Sequence, residues 1–392
     1  MQQSFTSGRN RRRLIFGIFG TLFSMTLFDT FSQHPFSQRR RAIGFAACLF
    51  LASLAGLAHA PTAQAQEITL RIHHFLPAGG IQQTKMLQPW CDQIGKQSAQ
   101  RLKCQIFPSM QLGGTPAQLI DQARDGVVDA VFILPGYTAG RFPIMEVFEL
   151  PFMNRSAESA SKAAWEFYLK HGQKEWAGFK PLAFATHDNG FIHTRDKPIR
   201  QISDLKGMRL RAPTRLTNKL LASLGASPVG MPVNSVGDAI NKGVIDGFML
   251  PWEVMPGLKL HEMVRFHTET PADRPALYTA VFVFAMNQKR YESLPADLRQ
   301  VIDQASGLGL SGLMGRVWDE SQSQGRAPAV SRGNTIIRLS QSETDKMQAL
   351  SSALAEEWVA QMNKAGANGQ QMLDDARQLI RRHDQTRTRK GL

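Results

Sequence analysis

Residues 119–135, LIDQARDGVVDAVFILP, and residues 239–251, AINKGVIDGFMLP, repeat one pattern that decides the fold class. In each copy a predicted helix ends at a glycine, Gly126 or Gly243, where the left-handed conformation costs little. A tight turn that carries an aspartate follows, then a short apolar strand that ends at a proline. The two glycines lie 117 positions apart (243 minus 126), so the sequence predicts two similar α/β lobes.

The residues before the first copy show the same alternation of strand and helix. Residues 68–75 are rich in β-branched side chains and predict a strand, residues 82–98 have helical spacing, and residues 103–107 predict a second strand. This alternation predicts an α/β fold with mostly parallel strands. In open α/β sheets, ligands bind beyond the carboxyl ends of the strands. We therefore expect loops 135–137 and 251–253 to face one cleft from opposite sides.

Residues at the predicted strand ends supply candidate ligand contacts. Tyr137 and Trp252 each offer stacking area and one hydrogen-bond donor. Glu253 has three interpretations: it caps a helix, accepts a hydrogen bond from a ligand hydroxyl, or helps to hold a cation, and the structural role is preferred. Phe75 and His74 end the first strand and are further candidates, with a structural role as the alternative for each.

The segment 204–213, DLKGMRLRAP, brings a cation to the same edge. Alternate residues of a strand share a face, so we expect Arg209 and Arg211 on one side. Pro213 ends the strand and leaves Arg211 near its carboxyl end, where a planar guanidinium suits bidentate binding of a carboxylate. Taken alone, an arginine on a strand is also typical of a structural ion pair.

The first 65 residues have the pattern of a cleaved export signal. Residues 39–41 are arginines, residues 42–58 form an apolar run, and Ala-Gln-Ala at 63–65 matches a cleavage site. A second basic and apolar stretch upstream indicates either a start further along the chain or a membrane anchor. Cleavage after the Ala-Gln-Ala site predicts a periplasmic protein. In that oxidising compartment, Cys91 and Cys104 form either a disulfide or two buried thiols.

The charge of the chain is concentrated in this N-terminal segment. The 392 residues have a formal net charge of +14, but seven arginines and one aspartate lie in the first 65. The rest has 39 basic and 31 acidic residues (46 minus 7, and 32 minus 1), a net charge of +8. This moderate excess favours an anionic ligand or a membrane surface and predicts no nucleic-acid partner. The hydrophobic content of 43% excludes a disordered chain.

The sequence contains no enzyme motif that is complete and lies on the secondary structure that the motif requires. Residues 307–312, GLGLSG, match the dinucleotide-binding spacing but follow a predicted helix, whereas that motif follows a strand. His261 and Glu262 lack the second histidine of a zinc-protease motif. We therefore expect no catalytic residue, no cofactor and no metal. The alternative, an exported α/β enzyme that acts on a small carboxylic acid, would need an acid/base pair in the cleft.

Eight short segments together resemble the solute-binding subunit of tripartite ATP-independent periplasmic (TRAP) transporters, the DctP type. They cover nearly the whole predicted mature chain in the order of that family, and the set is specific although each segment alone is weak. The segments are LGG (112–114), GRFP (140–143), ELPF (149–152), DLKGMRLRAP (204–213), LGASPV (224–229), MP (231–232), VIDG (244–247) and LP (294–295).

The resemblance implies a two-lobed Venus-flytrap protein that closes on a small organic acid and delivers it to the small and large membrane subunits of a TRAP permease. It also implies that the family's carboxylate-binding arginine is Arg211. We expect a monomer, and a binding subunit that serves a sensor is the alternative role. The implied bounds are 67–188 plus about 277–316 for one lobe, 189–276 plus about 317–392 for the other, and about 297–324 for a long helix that crosses both.

Two departures from the family pattern concern the ligand. Many members have a second arginine in the segment that matches 189–192, where this chain has Phe191 and Ile192. Many also have asparagine before the proline that ends the later strand, where this chain has Leu250. Fewer polar contacts with retained aromatic residues favour a less polar monocarboxylate that carries an apolar or aromatic group. Asn189, near the inferred crossover between lobes, is expected to act as a hinge or a ligand contact.

Overall fold

Two mixed β-sheets with packed helices form the protein, whose computed structural model describes residues 67–389. The predicted export signal lies outside the described residues. The first sheet has the order β2 (Leu102–Phe107), β1 (Ile68–His74), β3 (Ala130–Ile133), β10 (Val281–Asn287) and β4 (Phe179–Thr186). The second has the order β11 (Thr335–Arg338), β9 (Phe266–Glu269), β5 (Gly190–Thr194), β8 (Gly247–Pro251), β6 (Arg209–Ala212) and β7 (Ser227–Gly230).

Helices connect these strands and cover the sheets. In residues 67–389, no helix is long and apolar enough to cross a membrane. Strands β3, β8 and β10 are buried along their whole length, as expected of central strands covered on both faces. The α-helices span Gln88–Gln97, Leu119–Arg124, Ala157–Phe167, Arg215–Ser223, Val236–Asn241, Gln288–Glu292, Ala296–Gln304, Leu308–Ser331, Gln341–Ser351, Ala353–Lys364 and Gly369–Arg389.

The repeated sequence pattern has the same structure in both copies. Each helix is followed by a glycine with positive φ, 74° at Gly126 and 67° at Gly243. The aspartate of each turn then accepts a hydrogen bond from the backbone N–H of the neighbouring parallel strand. Asp129 accepts from Arg71 of β1 at 2.7 Å, and Asp246 accepts from Arg209 of β6 at 2.9 Å. The aspartate therefore ties each short strand to its neighbour, which explains why both copies retain it.

The strand directions bring several chain segments to one edge of each sheet. Strands β1, β3 and β4 end at the same edge of the first sheet, and β10 begins there because it runs antiparallel to β3 and β4. Strands β6, β7 and β8 end at the corresponding edge of the second sheet, where the antiparallel strand β5 begins. We call these the carboxyl edges. The chain passes from β4 to β5, and thus from one carboxyl edge to the other, through residues 187–189.

One long helix, Leu308–Ser331, packs against segments that adjoin both sheets. A Cβ atom at Gly315 would lie 2.4 Å from the backbone oxygen of Ala157, and one at Gly325 would lie 2.3 Å from that of Trp252. The prediction that this helix lies within about 297–324 was wrong at both ends: Gly307, with a φ of 80°, separates it from the shorter helix before it, and it continues to Ser331. The GLGLSG segment thus follows a helix. The bounds of the two lobes stay a prediction.

Cys91 and Cys104 form a disulfide in the structure. Cys91 belongs to the helix Gln88–Gln97 and Cys104 to strand β2, and their Cα atoms lie 5.8 Å apart. The bond therefore ties this helix to the edge strand of the first sheet. It lies away from the carboxyl edge, because Cys104 is in the middle of β2.

Candidate ligand cavity

Residues at the two carboxyl edges line a cavity of about 380 Å³, part of which is open to solvent. Arg211 and Glu253 are the charged residues among its lining, and most of the other lining side chains are aliphatic or aromatic. The lining residues are Phe75, Leu76, Gln82, Leu134, Tyr137, His187, Arg211, Pro213, Val233, Leu250, Pro251, Glu253, Val254, Tyr278, Ala280 and Phe282.

Arg211 is a buried cation that forms no salt bridge with any carboxylate of residues 67–389. Its side chain donates from Nε to the Met231 carbonyl at 2.9 Å and from Nη1 to the Met249 carbonyl at 3.1 Å. Nη2 lies 3.4 Å from the Tyr137 hydroxyl oxygen. These bonds use three of the five guanidinium N–H groups and leave one on each Nη atom. Since a buried charge is costly without a counterion, the site favours an anionic ligand.

Two tyrosine hydroxyls lie near this guanidinium. The Tyr137 oxygen accepts hydrogen bonds from the Val233 backbone N–H at 3.0 Å and from Arg211, so its own proton is free for a ligand. The buried Tyr278 hydroxyl has no hydrogen-bond partner in the described part of the chain. Burial raises the pKa of both tyrosines, which keeps the two hydroxyls protonated at neutral pH. Both groups can therefore donate hydrogen bonds to a carboxylate.

His187 contributes a neutral ring to the cavity. The Ala280 backbone N–H donates to Nε2 at 3.0 Å, so the proton is on Nδ1, which donates to the Asp188 carbonyl. Burial, with a smaller effect of the Arg211 charge, lowers the pKa of His187 to about 4. The imidazole therefore adds no positive charge at neutral pH and leaves Arg211 as the cation of the cavity.

Aromatic rings form one wall of the cavity. The ring of Phe75 meets that of Tyr137 edge-on, with centroids 5.4 Å apart, and stacks on that of Phe282 at 6.3 Å. The Tyr278 ring packs edge-on against the imidazole of His187 at 5.2 Å. A Cβ atom at Gly190 would lie 2.0 Å from the Tyr278 ring, so this glycine makes room for it. A flat apolar ligand fits against such a wall better than a polyhydroxylated one.

Glu253 is placed at the cavity by the turn after β8. Its Oε1 accepts hydrogen bonds from Trp318 Nε1 at 2.9 Å and from Gln82 Nε2 at 3.4 Å. Its Oε2 is buried and has no hydrogen-bond partner among the described residues. Burial raises the pKa of Glu253 to about 7.

The structure places three other predicted contacts outside this lining. Trp252 is fully buried, and its Nε1 donates to Glu269 Oε1 at 3.1 Å. His74 is buried and accepts from the Leu76 backbone N–H at 3.2 Å. Asn189 donates to the Thr270 hydroxyl at 3.0 Å. The cavity thus brings together Arg211, Tyr137, Glu253 and Phe75 from the predicted set.

Sequence reasoning missed Tyr278 and Phe282, which flank the start of β10. The available signal was the apolar run of β10, which begins three residues after Tyr278 and predicts a buried strand. An antiparallel strand in that position would have brought its first residues to the carboxyl edge. In residues 67–389 no group of three or more His, Cys, Asp or Glu side chains is arranged to hold a metal ion.

A cavity between the carboxyl edges of two α/β sheets is the arrangement expected of a two-lobed solute-binding protein. The model of one family, the bacterial extracellular solute-binding proteins of family 7, matches residues 72–362. The chain belongs to this family, the DctP-type solute-binding proteins of TRAP transporters, as its sequence motifs predicted. The family consists of extracytoplasmic solute-binding receptors, so the protein is a binding protein and not an enzyme.

Solved structures of similar proteins confirm the two-lobed architecture. A TRAP solute-binding protein from Rhodoferax ferrireducens T118, in complex with copurified benzoate, is 45% identical with a TM-score of 0.80, over 81% of this chain and 99% of that one. A marine metagenome protein specific for aromatic acid ligands, in complex with 3-hydroxybenzoate, is 43% identical with a TM-score of 0.79, over 81% and 99%. A Bordetella bronchiseptica protein with bound mandelate is 26% identical with a TM-score of 0.75, over 80% and 99%.

Proposed function

We propose that this protein captures an aromatic monocarboxylate in the periplasm through Arg211 and delivers it to the membrane subunits of a TRAP permease. The observation that carries the proposal is the buried guanidinium without a carboxylate partner in residues 67–389, set in an aromatic cavity. A ligand carboxylate supplies the missing negative charge, and its ring replaces water against the wall of Phe75 and Phe282.

The polar groups near Arg211 suit one carboxylate. The two remaining guanidinium N–H groups and the hydroxyls of Tyr137 and Tyr278 are four donors for the four lone-pair positions of two carboxylate oxygens. His187 is neutral and adds no second cation. The cavity therefore favours one carboxylate on an otherwise apolar ligand over a dicarboxylate or a sugar acid.

The similar proteins support the same class of ligand. The relatives that are 45% and 43% identical were solved with benzoate and 3-hydroxybenzoate, and the 26% identical one with mandelate. All three ligands carry one carboxylate and one aromatic ring. The export pattern of the first 65 residues and the family support a periplasmic location and delivery to a permease.

A thermal-shift screen tests the class of ligand. The panel contains benzoate, phenylacetate and mandelate as aromatic acids, with acetate, succinate and gluconate as non-aromatic acids. The protein is first unfolded and refolded to remove any carried-over ligand. At 100 times its Kd, a ligand stabilises the folded state by about 2.7 kcal/mol, which raises Tm by several degrees. We expect such a rise for one or more aromatic acids, and a rise confined to the non-aromatic acids would contradict the proposal.

Delivery to a permease is tested in cells. Uptake of the radiolabelled aromatic acid identified by the screen is measured in the parent strain, in a strain without this gene, and in a strain without TRAP permease genes. We expect uptake to fall to the same background level in both deletion strains. Uptake that needs this protein but no TRAP permease would contradict the delivery step.

A further inference from the structure

The Glu253 carboxylate presents an unused acceptor to the ligand cavity. Trp318 and Gln82 both donate to Oε1, which fixes the orientation of the carboxylate. Oε2 is buried without a hydrogen-bond partner in residues 67–389, and Glu253 lines the same cavity as Arg211. A buried acceptor without a donor is costly, so a ligand that supplies a donor gains affinity there.

The charge of Glu253 affects a second buried carboxyl group, that of Asp188. Asp188 lies near Glu253 with both side-chain oxygens buried and unpartnered, and burial together with the Glu253 charge raises its pKa. Burial also raises the pKa of Glu253, to about 7, and the N–H groups of Trp318, Val254 and Gln82 oppose part of this rise. The charge of Glu253 thus opposes ionisation of Asp188, whose pKa lies well above its ordinary value.

We propose that Glu253 Oε2 accepts a hydrogen bond from a hydroxyl on the ligand ring, so that hydroxylated aromatic monocarboxylates are the preferred ligands. This inference rests on the proposed function, because the ligand carboxylate must bind Arg211. The same negative charge disfavours a second carboxylate on the ring, so aromatic dicarboxylates are rejected. Glu253 thus acts as a specificity-determining residue, while Arg211 and the aromatic wall bind every aromatic acid.

The substitution Glu253→Gln reverses the hydrogen-bonding character at this position with little change in shape. Trp318 and Gln82 still need an acceptor, so the amide oxygen takes the place of Oε1 and the NH2 group takes that of Oε2. The variant then presents a donor where the parent has an unpartnered acceptor. Glu149→Gln is the matched control: Glu149 is also buried with an unpartnered Oε2, but it lies outside the cavity lining.

Isothermal titration of refolded protein with benzoate, 3- and 4-hydroxybenzoate and the corresponding methoxybenzoates measures the preference. A hydrogen bond to a charged acceptor changes Kd by about ten- to a hundredfold. We expect at least one hydroxybenzoate to bind the parent about tenfold tighter than benzoate. In Glu253→Gln this ratio of Kd values falls to near one. In Glu149→Gln the ratio is that of the parent.

Two results would overturn the inference: equal affinities of the parent for hydroxybenzoates and benzoate, or an unchanged ratio in Glu253→Gln. If benzoate still binds through Arg211 when either result is found, the proposed function stands and only the proposed role of Glu253 is refuted. If the parent binds no aromatic acid, the proposed function itself fails. Should the variant not fold, the comparison in the parent decides, because a methoxy group cannot donate and hydroxybenzoate must bind more tightly than its methoxy analogue.

Discussion

Replacing Arg211 by alanine removes the cation on which the proposed ligand site depends. In the parent, Nε and Nη1 are held by the carbonyls of Met231 and Met249, so the guanidinium is oriented before any ligand arrives. The substitution removes the charge and the two N–H groups that remain for a ligand. The carboxylate of a bound acid would then be buried with only neutral donors around it.

The expected loss follows from the bonds that disappear. Truncating one partner of a buried, hydrogen-bonded charge pair costs about 2–5 kcal/mol, which corresponds to a roughly 30- to 5,000-fold increase in Kd. Arg211→Lys keeps a positive charge but loses the planar pair of N–H groups, so we expect an intermediate loss of about 10- to 100-fold. Arg209→Ala is the matched control, because Arg209 lies on the same strand but is exposed and pairs with Asp246.

Titration calorimetry with benzoate on refolded protein gives the Kd of each variant, and circular dichroism confirms that each is folded. The parent and Arg209→Ala should bind benzoate with equal and highest affinity. Arg211→Lys should bind it more weakly, and Arg211→Ala most weakly. Binding of benzoate to folded Arg211→Ala with the affinity of the parent would refute the reasoning, since no other cation lines the cavity.

Three further substitutions test the structure around the site. Gly190→Ala should weaken benzoate binding and lower the unfolding free energy by about 1–3 kcal/mol, because its methyl group displaces the Tyr278 ring; an unchanged Kd would contradict this packing. Gly325→Ala should lower stability in urea titrations, since its Cβ would lie 2.3 Å from the Trp252 oxygen, and a gain in stability would contradict the close approach. Burial raises the pKa of Glu149 to about 8, so the folded protein binds this proton more tightly than the unfolded chain does. The unfolding free energy of the parent therefore falls as pH rises from about 4.5 through 8. Glu149→Gln should therefore lose less unfolding free energy than the parent between pH 5 and pH 8, by on the order of a few kcal/mol, and equal losses would refute the assignment.

The repeated pattern allowed the fold to be predicted because its signals are local. A glycine after a helix, an aspartate in the turn and a proline after a strand act within a few residues of one another, and Gly126 and Gly243 both adopt the expected positive φ. Pro213, another proline after a strand, predicted the end of β6 and thus the placement of Arg211 at the carboxyl edge. Gly307 is also a glycine that follows a helix and has a positive φ, so the interruption between the two helices could have been predicted in the same way.

The other parts of the site depend on partners that are distant in sequence. Trp252 was expected to stack on a ligand, but its ring packs against His193 and His267, and its N–H donates to Glu269. Tyr278 reaches the cavity because β10 runs antiparallel to its neighbours, and strand direction depends on the whole sheet. Neither the packing of Trp252 nor the position of Tyr278 can be predicted from the residues next to it in the sequence.

The most direct test of the central claim compares benzoate with benzamide, which has the same ring and nearly the same shape but no negative charge. Titration calorimetry on refolded parent protein should detect benzoate binding and a Kd for benzamide that is at least about 100-fold higher, because the amide leaves the Arg211 charge uncompensated. Equal affinities for the two compounds, or binding of benzamide alone, would contradict capture of an aromatic acid through its carboxylate.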